Sequence, residues 1–214
     1  MNRSWFALGA CLLVVTGCVH STKARFVQHY TLDAPAPREA QVPADARILQ
    51  IARIGVPEWL EGTAMYYRLD YRVGGRMATY ADSDWIAPLA TLLEPLLEKA
   101  LVAGGGWRAV IGPGSLAGAD VSLQIRLDDF AQVFSQPQQS SGVLDATATL
   151  ISNHDERVIA QRHFHVEVSA PTPDAQGGVR AMNEASAQFA GQLQRWSQRA
   201  RDENGTKGSS DPGE

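Results

Sequence analysis

Cysteine is almost missing from this chain of 214 residues: there are two, Cys11 and Cys18, both near the N-terminus. From Val19 onward there is none, which excludes disulfides, thiol catalysis and cysteine-ligated metals together from the folded part. A membrane-spanning run is missing too. The apolar stretch Trp5 to Val15 is about eleven residues, whereas ~30 Å of hydrocarbon calls for about twenty. Charge of one sign is also scarce. The formal net charge is -4, and Asp202, Glu203, Asp211 and Glu214 against Lys207 hold most of it. Allowing for Arg3, residues 18–201 carry only -2. A near-neutral body of this kind offers no electrostatic footprint for nucleic acid and no polybasic segment for anionic lipid.

What is present at the N-terminus is a processing signal. Arg3 precedes the apolar run, whose length fits the core of a secretory signal. The run closes on Leu13-Val14-Val15-Thr16-Gly17-Cys18, with a small residue directly before cysteine. The type and order of these residues match a bacterial lipobox. On this reading residues 1–17 are a lipoprotein signal peptide. Cys18 becomes the first mature residue, with a diacylglycerol on its sulfur and an acyl chain such as palmitate on its amino group. Each buried CH2 of those chains adds about 0.8 kcal/mol of membrane affinity. An ordinary secretory signal would instead leave Cys18 as a free thiol with no cysteine left to pair. By the sorting rule of Gram-negative lipoproteins, Val19 in place of aspartate favours the outer membrane.

Residues 18–25 form a short polar tether, and 26–201 have the length of one domain able to bury its own core. Phe26 to Leu32 is a first strand by its aromatic and β-branched content. A proline-rich loop with Pro35, Pro37 and Pro43 follows. Arg47 to Val56 is apolar on both faces, as a central strand is. Pro57 ends it, and Glu58-Trp59-Leu60-Glu61-Gly62 turns the chain. Thr63 to Val73 and Arg76 to Tyr80 are strands joined at Gly74-Gly75, a hairpin signal. Asp82-Ser83-Asp84 is an N-cap cluster for a helix carrying Ile86, Leu89, Leu93, Leu97 and Leu101. Pro95 should kink or divide that helix. Trp107 to Ile111 is a short strand. Val121, Leu123, Ile125 and Leu127 alternate, and Phe130 and Phe134 then change parity, which predicts a bulge at Asp128-Asp129. Val143 to Ser152 and Arg157 to Ser169 make another hairpin. Met182, Ser186, Phe189, Leu193 and Trp196 form the narrow stripe of a C-terminal helix. Residues 202–214 have nothing to bury and read as a disordered tail. The sum is an α+β fold, a mostly antiparallel β-sheet with two amphipathic helices packed on it.

Catalytic patterns are weak. Gly112-Pro113-Gly114-Ser115-Leu116-Ala117-Gly118 lacks the lysine and the following helix of a phosphate loop. His163 and His165 share a strand face but have no third metal ligand nearby in sequence, and Gln161 and Glu167 continue that face as a solvated one. Asp128 and Asp129 are adjacent and point apart, so they cannot easily share a proton. No serine sits in a nucleophile elbow. The reading is of a protein that is not an enzyme, with neither a metal nor a cofactor beyond the lipid on Cys18. Among Trp59, Tyr66, Tyr80, Trp85 and Trp196, most belong in the core. Trp59, in a turn after proline, is the one best placed for a partner.

In order and spacing these pieces resemble the ABC-type transport auxiliary lipoprotein family, whose members include the lipoprotein of the paraquat-inducible operon (PqiC-like). The matching stretches are His29-Tyr30-Thr31-Leu32, Ile54-Gly55-Val56-Pro57-Glu58-Trp59-Leu60 and the leucine helix opened around Trp85. Asp129-Phe130, Gly142-Val143-Leu144-Asp145-Ala146 and the closing helix complete the resemblance over residues 26–200. It implies an outer-membrane lipoprotein on the periplasmic face, docking an MCE-domain protein of an ABC-type lipid transport system. It also implies self-association as a homo-oligomer, and it supplies no catalytic residues. The second reading, from a different class, is a stand-alone periplasmic lipid carrier or sensor. That reading requires an apolar cavity between sheet and helices.

Overall fold

The computed structural model describes residues 26–33 and 47–208, with side chains through Glu203. Cys18, Val19 and the tether therefore lie outside the described residues. The expected α+β architecture is the one the chain adopts, an eight-stranded sheet and two helices. The strands are β1 (Gln28–Tyr30), β2 (Ile48–Ile51), β3 (Ala64–Leu69), β4 (Arg76–Trp85), β5 (Ala109–Ile111), β6 (Val121–Gln136), β7 (Gln139–Ser152) and β8 (Val158–Ser169). The helices are α1 (Leu89–Gly104) and α2 (Ala175–Gly208).

β6 is the spine. One edge pairs antiparallel with β7 from Val121↔Ser152 to Gln136↔Gln139. The other edge is shared by two short parallel strands, β2 at Val121–Leu123 and β3 at Gln132–Phe134. The predicted bulge is present, a register shift between Leu127 and Asp129. It lets Val121, Leu123, Ile125 and Leu127 face the core and still returns Phe130 and Phe134 to that side, where all six are buried. β7 alternates in step, with Leu144, Ala146, Ala148 and Leu150 inward. From β8, Phe164 meets Phe189 and Trp196 edge-on, at centroid distances of 5.4 and 5.7 Å. The space between sheet and α2 is thus occupied by the chain's own aromatic rings.

Strand directions sort the connections into two ends. β3 and β6 are parallel, β4 and β7 antiparallel to them, and β8 antiparallel to β7. The β3–β4 turn, the β6–β7 turn and the β8–α2 connection therefore share one end. The β7–β8 turn lies at the other, and Asn153 there donates to Ala119 O, which holds the close of the β5–β6 loop beside it.

Several local expectations are corrected. Asp82-Ser83-Asp84 do not cap a helix, because β4 continues to Trp85 and pairs there with β1, Gln28↔Ser83 through Tyr30↔Trp85. Burying Trp85 in the core favours the longer strand. α1 starts later, at Leu89, with Pro88 as a cap that makes no side-chain hydrogen bond. Pro95 lies inside α1 without dividing it. The bond that proline removes would have gone to the carbonyl of Thr91, and both residues are exposed, so water can take its place. On the opposite face Leu89, Leu93, Leu96, Leu97 and Leu101 are buried, each contributing about 1.5–3 kcal/mol relative to exposure. β2 ends at Ile51, short of Val56, and Gly55 returns as an isolated bridge to Arg126. The closing helix runs to Gly208, past Asp202, where a tail without structure was expected.

Candidate functional site

The sheet face away from the helices carries a band of charge built by strand alternation. Arg68 on β3, Asp128 and Asp129 at the β6 bulge, Asp145 and Thr147 on β7, and His163 and His165 on β8 all lie on it. The two aspartates were expected to point apart, but the bulge between Leu127 and Asp129 turns both onto this one face, where each takes its own partner. Asp129 Oδ2 accepts from Arg68 Nη1 at 2.5 Å, and Arg68 Nε also reaches Asp70 at 2.8 Å. Asp128 accepts from Arg126 Nε at 2.7 Å and from the Thr147 hydroxyl at 3.1 Å. Burial disfavours the Asp128 carboxylate, yet those hydrogen bonds outweigh it and hold the group below the usual carboxylate range. With each acid committed to its own cation, the band has the chemistry of an ion-pair network.

Pairing across β7 and β8 supplies what spacing in the sequence did not. Asp145 lies opposite His165, and its Oδ1 is 2.8 Å from His165 Nδ1 and 3.6 Å from His163 Nε2. Both histidines are exposed, as a solvated strand face predicts. Among the described residues, no group of three histidine, cysteine or acidic side chains is disposed to hold a metal ion.

A second feature lies where α2 meets the first strand. A groove of about 650 Å³ is lined by His29, Tyr30, Thr31 and Asp33 on one side and by Val179, Arg180, Asn183, Glu184 and Ala187 on the other. Asn183 closes its floor. Its Oδ1 accepts the Asp33 N–H at 2.7 Å, and its Nδ2 donates to Thr31 O at 3.3 Å and Val179 O at 3.1 Å. The groove is open to solvent and mixed in character, with His29, Asp33, Arg180 and Glu184 among its walls, unlike an enclosed acyl-chain cavity. Sequence reading passed over Asn183 because its partners are backbone groups about 150 positions away.

A buried polar link ties β4, β6 and β7 together where Gln132 lies against Gly178 of α2. Gln132 is 1% exposed. Its Nε2 donates to the Ser140 hydroxyl at 2.8 Å, and its Oε1 accepts the Tyr80 hydroxyl at 2.7 Å. Burial, with Tyr67 and Asp174 adding to it, pushes the Tyr80 hydroxyl far above its usual range, so it stays a donor.

Trp59 sits in the 3-10 turn Glu58–Leu60. It is half-buried, and its ring and that of Tyr66 meet in a T-shaped pair at 5.0 Å, so only part of the indole is open to a partner. Trp85 and Trp196 are in the core. The Gly112–Gly118 loop leads directly into β6 and no helix follows it. Among the described residues, no helix is long and apolar enough to cross a membrane.

Fold and surface together define an α+β domain with a helix-backed sheet and an open polar face. The family model for the ABC-type transport auxiliary lipoprotein component matches residues 30–194, and the chain belongs to that family. Its fold is similar to that of a Xanthomonas campestris protein of the DUF330 family, at 18% identity and a TM-score of 0.72, covering 84% of this chain and 99% of the other. A second crystal structure, of an uncharacterized protein, aligns at 18% identity with a TM-score of 0.62, covering 79% and 97%. At such identities the likeness is one of fold. No curated protein matches the chain.

Proposed function

We propose that this protein is a non-enzymatic, lipid-anchored accessory of an ABC-type lipid transport system. It docks an MCE-domain protein at the periplasmic face of the outer membrane and supports envelope integrity. The observation that carries the reading is the family match over residues 30–194. The lipobox ending at Cys18 supplies the anchor, and Val19 supplies the choice of the outer membrane. Several copies assemble into a ring around the partner, and the half-buried Trp59 contributes to that contact. The lipid-carrier reading has less support, because aromatic side chains fill the space between sheet and α2.

The test is crosslinking in cells followed by a pull-down, with Cys18→Ala beside the wild-type chain. The wild type is expected to fractionate with the outer membrane and to capture an MCE-domain protein. Cys18→Ala is expected to be soluble in the periplasm. Capture of no MCE protein by the anchored form would sink the docking role. An unchanged fractionation of Cys18→Ala would remove the anchor.

A further inference from the structure

We infer that the β3–β4 turn is a second membrane contact, seating Val73 and Tyr71 in the headgroup interface of the leaflet that holds Cys18. This rests on the lipid anchor proposed above. The turn joins Leu69 to Arg76, and Gly74 and Gly75 take φ values of 81° and 56° that favour glycine. They allow a tight reversal that leaves Val73 fully exposed, with Tyr71 and Met77 also exposed beside it. Val73 packs against nothing in the fold, while Tyr71 and Met77, at 37% and 38% exposure, are partly covered and flank it.

Charge around them is net positive. Residues 68–77 hold Arg68, Arg72 and Arg76 against Asp70 alone, within a chain of net charge -4. Asp70 is already taken by Arg68 at 2.8 Å. The Arg72 guanidinium lies 5.4 Å from the Tyr71 ring centroid, and among the described residues neither Arg72 nor Arg76 is in an ion pair with a carboxylate. An exposed aliphatic tip, a tyrosine and two uncommitted arginines match the chemistry of a bilayer interface. Aromatic rings settle at headgroup level there, and guanidinium groups pair with phosphates. The near-neutral total charge concealed this local cluster.

The anchor's reach favours a membrane over a protein as the occupant. β1 runs parallel to β4, so its N-terminal end points to the end of the sheet that carries this turn. Gln28 pairs with Ser83 and Ala64 with Asp84, so Gln28 is level with the start of β3. From there the strand and turn climb about 20 Å at ~3.3 Å per residue. Phe26 is two residues nearer to the turn, and the eight residues from Phe26 to Cys18 span at most about 27 Å. Even a fully extended tether passes the turn by little more than about 10 Å, so the anchor keeps the turn close to the lipid surface.

The experiment uses the full chain, matured and acylated, with Val73→Cys. Cys11 leaves with the signal and the Cys18 sulfur is blocked, so position 73 carries the single free thiol for an NBD label. The comparison position is Leu116→Cys, fully exposed in the β5–β6 loop at the opposite end. In vesicles of phosphatidylethanolamine and phosphatidylglycerol, the label at 73 should shift to the blue. Headgroup spin labels should quench it about threefold more strongly than the label at 116. Adding Arg72→Glu and Arg76→Glu should remove most of that difference while the acyl anchor keeps the protein on the vesicles. An acylated, vesicle-bound chain whose position 73 is as wet as 116 overturns this inference alone. So does a label that becomes dry only when envelope proteins are added, which would give the turn to a protein partner. A bare Cys18 in the intact mass overturns both this inference and the anchor.

Discussion

Asn183 on α2 holds Asp33 in place as the chain leaves β1, accepting its backbone N–H at 2.7 Å. The same side chain donates to Thr31 O, so one residue of the last helix fixes both sides of the segment that follows the tethered strand. Without it, the segment keeps the three ladder pairs with β4, the Ile86 N–H bond to Tyr30 O and the buried Leu32. Asn183→Ala should cost about 1–2 kcal/mol in chemical unfolding. It should also speed hydrogen exchange at the Asp33 amide. Asn183→Asp, which keeps the acceptor and loses the donor, should fall between the two. Unchanged exchange at Asp33 would show that the clasp is not made in solution.

Arg68 and Asp129 make the tightest pair in the charged band, and they are unequal partners. The Asp129 side chain is 16% exposed, and its Oδ1 is buried with no hydrogen-bond partner. Removing the cation strands a desolvated carboxylate, so Arg68→Ala should lower stability by about 1–3 kcal/mol. Combining Arg68→Met with Asp129→Asn should recover much of that loss, because no buried charge is then left alone. Urea midpoints of Arg68→Met, Asp129→Asn and the double variant, set against the wild type, give the coupling directly.

The spine of the fold was legible in the sequence because β6 obeys a two-residue period. The parity change between Leu127 and Phe130 even located the bulge. Asp82-Ser83-Asp84 misled because a cluster of capping residues is a local signal. The burial of Trp85 and the pairing with Gln28 to Tyr30 are tertiary, and they won. The start of α2 was hidden for a related reason. Gly177 and Gly178 are weak helix formers, yet both are buried within α2, and a Cβ at either would collide with Thr172 or Gln132. Those glycines are present for close approach. The Asp145–His165 contact and the Asn183 clasp join residues 20 and 150 positions apart, so no spacing rule could show them.

Gly142 on β7 carries the same kind of close approach into a prediction. A Cβ there would lie 2.7 Å from the backbone of Ala181 and Met182 on α2. The obstacle is helix backbone, which cannot rotate aside as a side chain can. Gly142→Ala should therefore push α2 off the sheet and cost about 1–3 kcal/mol or more, despite the higher strand propensity of alanine. The midpoint of thermal unfolding and the near-ultraviolet signal of Trp196 both report it. A neutral result would mean that α2 rides higher on β7 than described.

Asp174 starts α2 and gives stability a pH dependence of known sign. Its Oδ1 accepts the Gly177 N–H at 2.7 Å and the Thr172 hydroxyl at 2.8 Å. The backbone hydrogen bond from Gly177 first, then that from Thr172, holds the carboxyl below its ordinary range. The carboxyl therefore takes a proton less readily when folded than when unfolded. Its contribution is complete above the ordinary aspartate range and is lost as pH falls through the lowered folded value. Asp174→Ala should cost about 1 kcal/mol near neutral pH, the usual worth of a helix cap. The gap between variant and wild type should then close on acidification. Asp174→Asn keeps an uncharged acceptor, so it should lose less and show a gap that does not follow the titration. Urea unfolding of the three chains at neutral and acid pH separates these outcomes. An Asp174→Ala gap that is the same at both would mean the cap works through geometry, with no part played by its charge.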